Sequence, residues 1–149
     1  MERVTVCKEV TFDCAHMLSG HEALCKNLHG HTYKVQVSVT NEQIIEGPSV
    51  DMVIDFKHLK EAITKSIMDK FDHAIIFSSH KFRNEAEEDL FEWACKHHMR
   101  LFEMPRRTTA EDMALFFREL IMQDLADIGY TPMNISIRVY ETPTSFAEV

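Results

Sequence analysis

Residues 4–16, VTVCKEVTFDCAH, and residues 29–39, HGHTYKVQVSV, carry the pattern from which the fold is read. Side chains two apart on a β-strand share a face. In the first stretch Val4, Val6, Val10, Phe12 and Cys14 share a parity with His16, and only Lys8 breaks the apolar run. In the second, Tyr33, Val35, Val37 and Val39 share a parity with His29 and His31. If the two strands pair as an antiparallel hairpin, the end of one lies beside the start of the other, and three imidazoles converge at one end of the buried face. The loop from Met17 to Leu28 then hangs Cys25 over that cluster.

Neutral imidazole suits zinc, and three histidines with a fourth position left to water or substrate make a catalytic rather than a closed structural site. His-x-His alone is common. A third inward histidine at the same end, His16, is what makes the set specific for a metal. The alternative is a closed structural site with Cys25 as fourth ligand. Closed sites are needed most where the core is too small to fold the chain, and 149 residues with 45% hydrophobic content is not that class.

The same length and composition predict one soluble domain over residues 1–149. No apolar run approaches a membrane span, and Met1-Glu2-Arg3-Val4 lacks the apolar stretch of a signal peptide, so a cytoplasmic location without membrane contact is expected. Cys7, Cys14, Cys25 and Cys95 are too scattered for a disulfide scaffold and read as free thiols, with Cys7 and Cys95 inert. A net charge of −8 argues against nucleic-acid partners and acidic membranes.

Beyond the hairpin the chain reads as scaffold. Leu59, Ile63, Ile67 and Phe71 stripe a helix over residues 56–71 that Asp55 can cap, so Asp55 is structural. Met113, Phe116, Phe117, Leu120, Ile121 and Leu125 stripe another over residues 109–127, where Thr109 with Asp112 has the layout of a capping box. Residues 81–104 read as an acidic helix followed by a short strand at 99–104, with the run Glu85, Glu87, Glu88, Asp89 as a solvated face and Phe82, Phe91 and Trp93 as packing. In the last strand Ile135, Ile137 and Val139 share a parity with Glu141; if the strand runs that far, an inward carboxylate wants paired N–H donors, and if it ends by Tyr140, Glu141 is simply exposed. The expected architecture is a two-layer α+β domain, an antiparallel sheet of about four strands with helices packed on one face.

Several motifs occurring in one order give these residues a family context: Phe12-Asp13-Cys14-Ala15-His16, Cys25-x-x-x-His29-Gly30-His31-Thr32-Tyr33, Val53-Ile54-Asp55-Phe56-Lys57-His58-Leu59-Lys60, Phe71-Asp72-His73, Thr109-Ala110-Glu111 and Tyr140-Glu141-Thr142. Nearly end to end, the chain resembles the 6-pyruvoyl-tetrahydropterin synthase and 6-carboxy-tetrahydropterin synthase family. The resemblance implies that His16, His29 and His31 hold zinc, that Cys25, Asp72 and His73 transfer protons, that Glu141 anchors the pterin, and that the turn of Thr108, Thr109 and Glu111 lines its pocket. It also implies a T-fold whose sheets join edge to edge into barrels, with a trimer-based homo-hexamer and Asp72-His73 reaching Cys25 across a subunit boundary. The three residues between Cys25 and His29 look like the bacterial 6-carboxy enzymes, and Lys26 disfavours a folate-pathway variant that carries glutamate there. The implied reaction converts 7,8-dihydroneopterin triphosphate to 6-carboxy-5,6,7,8-tetrahydropterin, on the route to queuosine. Alternatives are a 6-pyruvoyl product and a non-catalytic, zinc-stabilised pterin-binding protein. Lys26, Lys34, Arg106 and Arg107 are candidates for the triphosphate, and the 81–104 region looks longer than in compact bacterial members.

Overall fold

The structure is a computed structural model and describes residues 3–41, 52–130 and 134–149. Strand β1 (Val4–His16) and strand β2 (His29–Asn41) pair antiparallel over their whole length, from Val4 opposite Asn41 to His16 opposite His29. That register places both valine-rich parities on one face. Tyr33, Val35, Val37 and Val39 are fully enclosed there, while Thr5, Glu9, Thr11 and Asp13 stay exposed on the other. A one-residue slip would exchange the two faces, so burial itself fixes the pairing.

Helix α1 (Phe56–Ile63) starts at Asp55, whose carboxylate accepts the Lys57 N–H at 2.8 Å, as the sequence predicts. A π-helical stretch, Thr64–Met68, and one further turn, α2 (Asp69–Phe71), continue it. Strand β3 (Ala74–Phe77), helix α3 (Glu85–Lys96), strand β4 (Leu101–Glu103), helix α4 (Ala110–Asp127) and strands β5 (Asn134–Thr142) and β6 (Ser145–Glu148) complete the described elements. Leu59, Ile63, Ile67 and Phe71 from the first helical run, and Met113, Phe117, Ile121 and Leu125 from α4, cover the apolar face of the sheet. Phe12 stacks on Tyr33 at 5.3 Å, and Phe71 meets Phe117 edge-on at 4.8 Å, contacts worth about 1 kcal/mol each beyond the area they bury.

The α+β class with helices on one face is as expected, but among the described residues the sheet has six strands rather than about four, in the order β4-β3-β1-β2-β5-β6. It is antiparallel from β1 to β6, whereas β3 runs parallel to both β1 and β4. Strand β3 is four apolar residues without alternation, too short for periodicity to distinguish it from the helix before it.

Candidate metal centre and active site

The antiparallel register puts His16 directly across from His29, with His31 opposite Cys14. Gly30 lets the strands close between the two β2 histidines, because a Cβ there would stand 3.3 Å from the Cys14 carbonyl oxygen. His16 is fully buried, and His29 and His31 are half-buried. One ligating atom from each lies within 4.8 Å of the others.

Hydrogen bonds fix two of the tautomers. His16 Nδ1 donates to the Thr108 carbonyl at 2.9 Å, and His29 Nδ1 donates to the Asn27 carbonyl at 2.7 Å. Each ring therefore presents an Nε2 lone pair, and these two Nε2 atoms are 3.2 Å apart. Two lone pairs at that distance repel unless a cation lies between them. The spacing matches the edge of a tetrahedron with zinc–nitrogen bonds near 2.0–2.1 Å, which is roughly 3.3 Å. Among the described residues His31 Nε2 is buried without a hydrogen-bond partner, although Glu141 Oε1 stands 3.1 Å away outside hydrogen-bond alignment. The donor set fits a divalent, imidazole-binding metal, with backbone carbonyls orienting two of the rings.

The electrostatics agree with that role. Burial lowers the His16 pKa to about 4, helped by His29 and His31 and opposed by the bond to Thr108. Burial likewise lowers His31, against the pull of the Glu141 carboxylate. Neutral rings are the ligating form. Beneath them the Tyr33 hydroxyl lies 3.5 Å from His16 Nε2, its phenol pushed far up by burial and by the charges of Cys14, Glu141 and Cys25, so it keeps its proton.

Cys25 sits half-buried in a single 3-10 turn, Leu24–Lys26, whose backbone is pinned by the Leu18 N–H donating to the Cys25 carbonyl at 2.9 Å. Its sulfur is not within 4.8 Å of all three histidine ligand atoms. Cys14, by contrast, is buried, and burial with the charges of Asp13, Asp72 and Glu141 pushes its thiol up to about 12, which leaves it inert. Glu141 extends the buried parity of β5 as the sequence predicts, with Oε1 3.1 Å from His31 Nε2 and 3.6 Å from His16 Nε2. It shares a cavity of about 480 Å³ with His31, Lys34 and Tyr140, and the Lys34 ammonium lies 4.2 Å over the Tyr140 ring.

Asp72 and His73 gather elsewhere. His73 Nδ1 is 2.9 Å from Asp72 Oδ1, which also accepts the Asp13 N–H at 3.2 Å. The donor atoms of Asp13, Asp72 and His73 form a second cluster, around a residue whose side chain alternates with Phe12 and Cys14 to the outer face of β1. Burial raises the Asp72 carboxyl, but the Asp13 N–H, His73 and Arg100 outweigh it and hold the group low. His73 has φ +60, a conformation uncommon outside glycine, and is held there by its N–H donating to the Asp13 carbonyl at 2.7 Å. Arg100 braces the same corner by donating to the carbonyls of Asp72 at 2.6 Å and Asp69 at 2.7 Å. Within one chain, then, the structure joins Asp72 to His73 but separates the pair from the three histidines.

Thr109 caps α4, its Oγ1 accepting the Asp112 N–H at 3.2 Å. Thr108 does more than its place at a helix start suggests, since its carbonyl orients His16 while its own buried Oγ1 has no hydrogen-bond partner among the described residues. Of the candidate phosphate contacts, Arg106 is engaged by Glu119 at 2.6 Å, Arg107 lies 4.6 Å over the Phe82 ring, and Lys26 is exposed.

The family described as 6-pyruvoyl tetrahydropterin synthase matches residues 5–149. A 6-carboxy-5,6,7,8-tetrahydropterin synthase of Haemophilus influenzae is 42% identical over 144 residues, which cover 96% of each chain. A protein of Pyrococcus horikoshii described as a putative 6-carboxy-5,6,7,8-tetrahydropterin synthase is 32% identical over 148 residues, covering 93% of this chain and 84% of its own. The fold is that of solved 6-pyruvoyl tetrahydropterin synthases: the Plasmodium vivax structure superposes with a TM-score of 0.71 at 19% identity, covering 100% of this chain and 98% of that one. With a matching family over nearly all of its length and a full-length relative at this identity, the chain belongs to the 6-pyruvoyl tetrahydropterin synthase family.

Proposed function

We propose that this protein is a lyase of the 6-carboxytetrahydropterin synthase type that converts 7,8-dihydroneopterin triphosphate and one water to 6-carboxy-5,6,7,8-tetrahydropterin, triphosphate and acetaldehyde. The observation that carries the reading is the 42% identity to a full-length relative described by that activity, and the Cys25 to His29 spacing supports it. His16, His29 and His31 would hold zinc, which supplies Lewis acidity toward the substrate side-chain oxygens. Glu141 accepts the N–H groups of the pterin edge, as a carboxylate accepts paired donors generally. Cys25 Sγ and His73 move protons at the side-chain carbons, with Asp72 holding the His73 ring through Nδ1. Thr109 contributes the pocket wall, and Lys34, which lines the same cavity as Glu141, supplies positive charge for the phosphates.

Because Asp72 and His73 lie around Asp13 on the outer face of β1 while His16 is on the inner face, proton transfer between them and Cys25 is read as occurring between copies. That is the reading of a homo-hexamer built from trimers, each chain acting as one domain over residues 1–149, in the cytoplasm and on the route to queuosine. The test is to incubate the zinc-loaded protein with dihydroneopterin triphosphate, identify the pterin by mass and assay acetaldehyde. Carboxytetrahydropterin with equimolar acetaldehyde is expected. A 6-pyruvoyl product without acetaldehyde, or pterin binding without turnover, overturns the assignment.

A further inference from the structure

The loop that carries Cys25 is docked on a carboxylate for which the proposed chemistry has no use. Glu87 belongs to the acidic run at the start of α3, where sequence reasoning expects a solvated face, and Glu85 and Asp89 are indeed exposed. Glu87 is fully buried. Its Oε1 accepts the Ser19 hydroxyl at 2.7 Å, and its Oε2 accepts the Ser78 N–H at 2.8 Å, with the Ser78 hydroxyl a longer 3.4 Å from Oε1.

The local pattern is a capping box with an inserted member. Asn84 caps α3 by accepting the Glu87 N–H at 2.9 Å, and in an ordinary box the third helical residue would return a bond to the capping residue's own N–H. Here the Asn84 N–H donates instead to Ser19 Oγ at 3.1 Å, and the Ser19 O–H in turn donates to Glu87 Oε1. The hydroxyl of a distant loop thus completes the helix cap. One residue before Ser19, the Leu18 N–H donates to the Cys25 carbonyl. At the far end of the same loop the Asn27 carbonyl receives His29 Nδ1. A continuous chain of bonds therefore runs from the buried carboxylate to the backbone of Cys25, and the loop's other end is fixed to a candidate zinc ligand.

We propose that Ser19 and Glu87 form a latch that positions Cys25 for proton transfer, and that both are positioning residues which do not touch substrate. The inference rests on the role given to Cys25 above. A buried carboxylate stripped of a donor is costly, so the latch has one favourable closed arrangement rather than a range of them.

The experiment compares Ser19→Ala, Ser19→Thr and Ser78→Ala in the zinc-loaded protein, reading kcat, KM, metal content and the rate of Cys25 alkylation by iodoacetamide. Alkylation is resolved by peptide mass, with exposed Cys7 as the internal reference. Ser19→Ala should lower kcat about tenfold with KM within about twofold, since misplacement of a proton-transfer group acts on turnover rather than binding. It should keep its zinc and change the Cys25 to Cys7 alkylation ratio by at least about threefold. Ser78→Ala, which removes only the 3.4 Å contact, and Ser19→Thr, which keeps the hydroxyl, should behave as wild type. Unchanged kcat and alkylation in Ser19→Ala, or equal losses in Ser19→Ala and Ser78→Ala, overturn the latch. Full turnover by Cys25→Ala would instead overturn the role of Cys25, while the alkylation ratio still reports on the latch.

Discussion

At the residue scale the candidate site is defined by the atoms that face the three imidazoles. Parity locates His16, His29 and His31, because each continues an apolar alternation inward, whereas Glu141 shares the parity of its strand but is singled out only by the family resemblance. Thr108 and Glu87 are invisible to that reasoning. The first acts through its carbonyl across 92 residues of sequence, and the second is a buried acid in a run that looks solvated. Cys25→Ala leaves the three imidazoles in place, so zinc should remain at one per chain while turnover falls roughly 10²-fold or more. Zinc release together with a lowered melting temperature would instead mark Cys25 as a structural ligand. His16 adds a pH dependence. Its native pKa of about 4 lies below the unfolded value of 6.5, so as pH falls through that window the unfolded chain takes up a proton that the native one refuses. In metal-free protein, stability should therefore fall between pH 6.5 and 4, by roughly 3 kcal/mol for this group, and level off below. Thermal melts of wild type and His16→Gln, whose amide can still donate to Thr108, check this: equal pH slopes would contradict it.

Among the elements, the long β1–β2 pair and the two striped helices are legible because their periods run over many residues. Strands β3 and β6 are not, since four residues hold too little pattern, and β6 is a polar edge with Phe146 half-exposed on Tyr140. The π-helical stretch at Thr64–Met68 leaves the apolar spacing of Ile63 and Ile67 intact and so sends no signal. The capping residues, in contrast, are readable from identity and position. Asp55→Ala should remove the bond to the Lys57 N–H and cost about 1 kcal/mol, which lowers the melting temperature by about 2–4 °C for a domain of this size. Because α1 contributes no zinc ligand, metal content should not change, and a loss of zinc in that variant would show that the helix start supports the site more directly than drawn.

For the whole molecule, the sequence order of the motifs points to the family, but spacing, which sets His16 and Asp13 on opposite faces of β1, could not show that Asp72 and His73 gather around Asp13. That placement follows from the parallel pairing of β3 beside Cys14, a long-range contact with no local mark. Under the proposed function, the site is therefore shared between copies, with Cys25 and the candidate metal ligands from one and Asp72 and His73 from another. The measurement that tests this most directly is turnover of dihydroneopterin triphosphate by a refolded equimolar mixture of Cys25→Ala and His73→Ala chains, each inactive alone, with mixed oligomers verified by native mass spectrometry. Random assembly leaves about one interface in four with both groups intact, so about a quarter of wild-type activity should return. Mixed oligomers with no recovered turnover, or a fully active monomer, would contradict the account.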